Sequence, residues 1–332
     1  MLIITLGVVI WNSRAGQDWL LEQAVSAAAN RPAAMSQSEG LRVFFCGTSS
    51  PLPAPGRAQA CVIVAAGESL FLVDAGAGSA QVAAVAQVPF ERLEAVFLTH
   101  YHSDHIAALP EFNLNSWVAG RPERLAVFGP PGIEEVVAGL NSAYELDRSY
   151  RVAHHGDELL PLSLGVMLPE EMEPGTVRQF GDLTVTSFLV NHDPVRPAVG
   201  YRFDYRGRSV VISGDATVTQ GLIDAATDAD VLLQDSLSVP IIKSLEIASA
   251  GTRMEKILFD IQDYHAHTSE LSDLVEKSGV RQLVLYHLVP APQNALLEKI
   301  FARDLPPGAI LSEDGMIIEL PAGSDEVTVI NP

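Results

Sequence analysis

Short apolar runs recur along the chain and end at Gly, Pro or Asp. "LRVFF", "ACVIVAA" and "SLFLVDAG" read in this way as β-strands. "GSAQVAAVAQV" predicts a helix and "LEAVFLTH" a further buried strand. "IAALPEFNLNSWVAG" predicts a helix interrupted by Pro110, "LAVFGPPG" a strand running into a loop, and "GIEEVVAGLNSAYEL" a helix. In the second half, "LTVTSFLVNH", "AVGYRFDYRG", "RSVVISGDA" and "ADVLLQDS" predict strands, with a helix at "TQGLIDAATD". "TSELSDLVEKSG" predicts a helix, "VRQLVLYHL" a strand and "GAILSEDGMIIEL" a closing hairpin, and Gly207 marks a turn within "FDYRGRSVV".

Strands and helices thus alternate in two similar halves from Leu41 onward, with no Gly/Ser linker between them. The pattern predicts one domain over residues 41–332, an α/β structure of two mixed sheets packed together with helices outside. Residues 1–40 stand apart. "MLIITLGVVIW" is apolar but short of the ~18–20 residues that a membrane span needs, and it lacks the positive start of a signal peptide. The Ala-rich stretch after it can hold a small-residue cleavage site. This segment reads either as an export signal or membrane anchor, or as a helix packed on the domain. The first reading points to a periplasmic or membrane-anchored location, and the second leaves the cytoplasm open.

Composition narrows the function classes. Of 332 residues, 48% are hydrophobic and 19% charged, so a large core is available and disorder is excluded as the general state. The formal net charge of −20 repels phosphate backbones, and no Lys/Arg run offsets it, so nucleic acid is a disfavoured partner. Cys46 and Cys61 are not spaced as a zinc-binding pair. They fall on consecutive predicted strands, where they can form a disulfide or remain two buried thiols. A homo-oligomer is compatible with this composition.

The chemistry gathers at Thr99–Leu109, "THYHSDHIAAL". His100, His102, Asp104 and His105 crowd together where a strand runs into a helix. The chain turns there, so closely spaced side chains can converge. Imidazole and carboxylate suit zinc and similar first-row metals. One ion cannot easily take all four from so short a segment, whereas two neighbouring ions can. Further candidates end other apolar runs: His192 after "LTVTSFLVN", Asp215 after "RSVVISG" and His287 after "VRQLVLY". A sheet rim is where such sites are built. Together these residues make a ligand set fit for two metals.

These motifs also occur in a known order. "FFCGTSSPLPAPGR", "FLVDAGAGS", "THYHSDH", "VFGPPG", "HDPVRPAVGYRF" and "ISGDA" resemble, in sequence, the metallo-β-lactamase-fold hydrolases of the ribonuclease Z-like branch. The resemblance runs from about Leu41 to His287 and beyond. It implies an αββα sandwich and a binuclear site. His100, His102 and His192 would hold one metal, and Asp104, His105 and His287 the other, with Asp215 bridging them. Asp74 would orient a ligating imidazole. Zinc is the expected metal, with manganese or iron as alternatives.

Two divalent ions about 3.5–4 Å apart share a water and lower its pKa, so the expected reaction is attack of a metal-bridging hydroxide on an ester. Asp104 would orient that nucleophile and accept a proton. His265 or His267, in "DYHAHTSE", would protonate the leaving group; the register leans to His265. His154 and His155 fall in a predicted loop that either lines the pocket or is exposed, and Tyr101 receives no role. The insert "AHHGDELLPLSLGVMLPEEMEPG" carries Glu170, Glu171 and Glu173, whereas an RNA-gripping arm would be basic. The expected substrate is therefore a small anionic ester, foremost a phosphodiester. Sulfate esters, tRNA 3′ cleavage and, outside enzymes, plain metal binding are the alternatives.

Overall fold

The computed structural model describes residues 11–29, 34–35 and 38–332. Two mixed sheets pack face to face. The first is ordered β15-β14-β1-β2-β3-β4-β5-β6 and the second β13-β12-β11-β10-β9-β8-β7. In the first sheet, β1 is Ser38–Gly47, β2 Cys61–Gly67, β3 Ser69–Val73, β4 Leu93–Phe97, β5 Ala126–Gly129 and β6 Leu168–Glu171. The second holds β7 Val177–Phe180, β8 Leu183–His192, β9 Val195–Tyr205, β10 Arg208–Ile212, β11 Val231–Leu237, β12 Gln282–Val289 and β13 Ile310–Leu311. The chain then returns to the first sheet with β14 Ile317–Leu320 and β15 Thr328–Ile330. Among the described residues the helices are α1 Arg14–Ala29, α2 Ser79–Val85, α3 Ser103–Ile106, α4 Leu109–Val118, α5 Ile133–Ala143, α6 Glu145–His155, α7 Gln220–Ala226, α8 Val239–Ala248, α9 Arg253–Asp260, α10 Leu271–Ser278 and α11 Ala295–Ala302.

Period-2 alternation explains the layers. On β1, Val43 and Phe45 point between the sheets, whereas Phe44 and Cys46 point to the helices. On β12, Val284 and Tyr286 face inward while Leu283 and Leu285 meet the helices of the other side. Both faces are apolar, so the strands read as unbroken hydrophobic runs. Phe97 is central in the inter-sheet layer, stacked on Phe128 and edge-on to Phe203. Cys46 and Cys61 form a disulfide between β1 and β2, which settles the alternative left open by their spacing.

Several elements differ from the pattern reading. Pro110 does not interrupt a helix; it sits in the first turn of α4, where its missing N–H costs nothing. The stretch "GAILSEDGMIIEL" is not a hairpin. β13 pairs with β12 in the second sheet and β14 with β1 in the first, so the chain between them crosses from sheet to sheet. Residues 239–263, to which the apolar pattern assigned nothing, form α8, α9 and a short 3-10 turn. The turn at Gly207 is as expected: Arg206 and Gly207 both have positive φ, the type I′ geometry that matches the strand twist.

The reading of residues 1–40 as an export or anchor segment lies partly outside the described residues. Helix α1 buries none of its described side chains: Trp19, Leu21 and Val25 on it are exposed, as is Trp11 just ahead of it. No helix among the described residues is long and apolar enough to cross a membrane. Met35 is buried in the outer layer of the first sheet and β1 starts at Ser38, so packing begins ahead of Leu41.

Candidate metal centre

The chemistry sits on one rim of the sandwich, where β4, β8, β10, β11 and β12 end or bend. After β4 the chain passes through Thr99 and turns into α3, which turns His100, His102, Asp104 and His105 into one small volume. The turn is held from both sheets. Asp74, just past β3, accepts from the Thr99 backbone N–H at 2.9 Å and from its hydroxyl at 2.8 Å. From the second sheet, the Tyr201 hydroxyl donates to the Leu98 carbonyl at 2.7 Å. Gly214, ahead of Asp215, has φ +64, and a Cβ there would stand 2.8 Å from that of Thr99. Only glycine lets the β10 end come this close.

The side chains form two groups that meet at Asp215. In the first, His100 Nε2 lies 3.0 Å from His102 Nδ1, and His192 Nε2 lies 3.4 Å from the same atom. Asp215 Oδ2 is 4.0 Å from His100 Nε2 and 3.8 Å from His192 Nε2. In the second, His287 Nε2 lies 3.1 Å from Asp104 Oδ2, and Asp215 Oδ1 is 3.3 Å from His105 Nε2 and 3.2 Å from His287 Nδ1. Asp215 thus turns one oxygen to each group. Tetrahedral zinc with bonds of ~2.0–2.1 Å spaces its ligand atoms by about 3.3 Å, so both groups are of the right size for a metal ion.

The other ends of the imidazoles are already engaged. His105 Nδ1 meets Asp74 at 2.8 Å, His192 Nδ1 meets the Tyr264 carbonyl at 3.1 Å, and His100 Nδ1 meets the Thr99 hydroxyl at 3.1 Å. Such partners fix each ring and leave Nε2 free for a cation. Three buried atoms at the junction, His105 Nε2, Asp215 Oδ1 and His287 Nδ1, have no hydrogen-bond partner. A buried unpaired polar atom costs ~1–3 kcal/mol, which a bound cation would offset. The residues therefore fit divalent metal ions.

Electrostatics divide the set. Burial, joined by the neighbouring His105, holds His100 well below the ordinary imidazole range, and burial lowers His192 to about 4. Both present lone pairs near neutrality. Burial also pushes His105 and His287 down, but Asp215 and its neighbouring carboxylates outweigh it and raise both. Burial would raise Asp215, yet His287 and His105 outweigh it and hold the carboxyl well below its usual range. A buried carboxylate kept ionised among imidazoles is the charge that a cation site needs.

His287 is strained into place. It sits in β12 opposite a register shift against β11 and has φ +47, unusual for a non-glycine residue. That bulge redirects its ring into the centre. His265 is buried beside the two groups, its ring 5.5 Å from those of His192 and His287. Its Nδ1 lies 2.6 Å from Asp235 Oδ2, so its other nitrogen is left for the cavity. His267 does not join them. Its Nε2 donates to the Gln262 carbonyl at 2.8 Å, and its own N–H donates to Glu270, which ties the ring to the turn before α10. The paired expectation of His265 and His267 narrows to His265 on geometry. His154 and His155 are not in a loop; they end α6, exposed and away from the centre. Tyr101 points aside, and its hydroxyl donates to the Pro130 carbonyl.

The pattern reading missed Asp235. It lies near the end of the apolar run "ADVLLQD", the same signal that singled out His192, Asp215 and His287. Burial raises its carboxyl above the usual range, with His265 opposing that shift. The "GTSSPLP" loop is positioned by Asp314, which accepts from the Thr48 N–H at 3.0 Å and its hydroxyl at 2.7 Å. That anchor sets Ser50, Pro51 and Leu52 on the wall of a cavity of about 330 Å³ that also shows His102, Asp104, Asp215 and His265.

Comparison with known proteins agrees with this architecture. Residues 70–288 match the family model described as beta-lactamase superfamily domain. The chain belongs to that superfamily and is a metal-dependent hydrolase of ester bonds. Within it, the chain is a homologue of ribonuclease Z: it is 37% identical over 254 residues to "Ribonuclease Z" of Mycobacterium bovis (strain BCG / Pasteur 1173P2), covering 76% of this chain and 87% of that protein. Solved structures share the fold. The metallo-beta-lactamase fold protein YhfI from Bacillus subtilis aligns with TM-score 0.59 at 20% identity, over 83% of this chain and 98% of its own. A diphosphatase from the PhnP family aligns with TM-score 0.59 at 15% identity, over 85% and 98%. Zn(2+)-bound PqqB from Methylobacterium extorquens aligns with TM-score 0.59 at 16% identity, over 84% and 100%. The kinship with ribonuclease Z runs against the expectation, drawn from net charge, that nucleic acid is a poor partner.

Proposed function

We propose that this protein hydrolyses phosphodiesters at a centre of two divalent metal ions, zinc by preference, and that its substrates are small esters. The observation that carries the reading is the pair of ligand-like groups meeting at Asp215 on the wall of one cavity. His100, His102 and His192 are assigned to one ion, Asp104, His105 and His287 to the other, and Asp215 to both. Bound there, such ions supply a water of lowered pKa and neutralise charge developing on the phosphate oxygens. The chain's residues do the rest. Asp104, ionised by its contact with His287, orients the attacking water and takes its proton. His265, held in one orientation by Asp235, protonates the departing oxygen. Asp74 keeps the His105 ring turned to the centre.

Three features support a small substrate. The net charge is −20. The cavity wall carries no lysine or arginine among the described residues. The segment between β5 and β6 folds back as α5 against β5 and β6, with α6 packed on α5 and on the turn at Leu162–Gly165, instead of forming a basic arm. Kinship with ribonuclease Z favours a second reading, cleavage of precursor tRNA. One experiment separates the two. Metal-loaded protein is given bis(p-nitrophenyl) phosphate and, in parallel at low salt, precursor tRNA, each with a chelator control. Chelator-sensitive release of p-nitrophenol without a defined RNA cut is expected. A single 3′ cut in the RNA at comparable efficiency would replace the reading.

A further inference from the structure

The metal cavity adjoins a second, apolar one. Leu52 and Met254 line it, and they also line a second cavity of about 580 Å³ beyond. That groove runs between α8, α9 and α11. Its wall is apolar: Ile241 and Leu245 come from α8, Leu258 from α9, and Leu297 and Ile300 from α11. Arg303, at the far end of α11, is the one charged group on this wall among the described residues. The near side continues the theme. Met254, Ile257 and Ile261 recur at helical spacing along α9 and the turn after it, and they border the metal cavity from above. Met254 and Ile257 are 43% and 47% exposed although no sheet or helix requires them outside.

We infer that the apolar groove between α8, α9 and α11 is a subsite for an alkyl or aryl arm of the substrate, so that the enzyme prefers phosphodiesters with one extended apolar ester group. The inference rests on the reading of the centre as a phosphodiesterase and names its substrate class. Adjacency decides the occupant. A phosphate placed between Asp104, Asp215 and His265 can send one ester arm past Leu52 and Met254 into the neighbouring groove. A ribose or base following that path would meet aliphatic carbon and find few hydrogen-bond partners, which costs free energy for each polar group buried. An alkyl chain would displace water from apolar surface.

The test is a homologous series. p-Nitrophenyl alkyl phosphates from methyl to octyl are given to the metal-loaded protein. Binding of the matching alkyl methylphosphonates, which lack the nitrophenolate leaving group, is measured by calorimetry. kcat/KM and phosphonate affinity should both rise with chain length, by up to roughly fourfold for each fully buried methylene. Ser244→Trp fills the groove from α8, and Leu297→Asp places a charge in it from α11. In either variant the octyl-to-methyl ratio should fall towards one. A flat chain-length profile in the unaltered protein overturns the inference, as does a slope that survives both variants. A dimer in sedimentation that Ser244→Trp splits would assign the groove to a second copy and overturn it as well. The underlying reading fails separately: no metal-dependent turnover of any phosphodiester, with phosphonate binding still rising with chain length, would sink the phosphodiesterase and leave the groove.

Discussion

The two halves of the sandwich build the centre in different ways. The first half delivers His100, His102, Asp104 and His105 from one six-residue segment, tied down by Asp74. The second delivers His192, Asp215, Asp235, His265 and His287 from five separate places, at the ends of β8 and β10, within β11 and β12, and in the turn before α10. A local cluster needs only one turn to be right. A distributed set needs register, a bulge and a close glycine contact to be right together. The first kind is written into adjacent residues, whereas the second exists only after the sheets have packed.

The comparison breaks most severely at the residue the halves share. Asp215→Ala should lower kcat/KM for bis(p-nitrophenyl) phosphate by at least ~10³-fold, with near-unchanged circular dichroism and less bound metal by elemental analysis. His102→Ala should match it from the first half. Full activity in both would refute the assigned centre. Next, the disulfide staples β1 to β2 within the first sheet, closing a sequence separation of 15. Replacing Cys46 and Cys61 by Ala should cost about 3 kcal/mol in denaturant unfolding. Activity at low denaturant should survive, because the bridge touches no site residue.

The distributed half is tested at its outlying member. His265→Ala should reduce kcat by about 10²-fold with bound metal unchanged, and Asp235→Asn should follow it with a loss of ~10-fold or more. His267→Ala should change kcat little, which separates two histidines that stand two residues apart. Equal losses in both would contradict the orientation seen here. Smallest of all, Asp74→Asn should weaken metal affinity by ~10–100-fold without abolishing turnover at saturating metal. An equilibrium dialysis series would read that shift.

Much of this was visible in the chain before folding. Short apolar runs located the strands of both sheets except the short edge strands β6, β7 and β15, because strands buried on two faces are continuous hydrophobic runs and those at an edge are not. The cluster after β4 and the polar residues closing "LTVTSFLVNH", "RSVVISGD" and "VRQLVLYH" marked the centre, since a buried run that ends in a metal-capable side chain has few other uses. The acidic composition argued for a small substrate. Helix α8 escaped the pattern because its apolar residues serve an open groove as well as the core, which blurs the amphipathic stripe, whereas α9 is strongly amphipathic and its stripe was legible in the sequence. His154 and His155 looked like a loop because Gly156 ends the helix directly after them.

Tertiary structure alone decided the rest. Whether Cys46 and Cys61 were thiols or a bridge depended on the β1–β2 register. That His265 and not His267 lines the cavity depended on Asp235, thirty residues away and brought near by β11. That His287 reaches the centre depended on a bulge no local signal announces. Adjacent residues determined what chemistry was available, because ligand type and spacing are covalent facts. Which residues share it was decided by distances between strands, and those are set by packing across the whole sandwich.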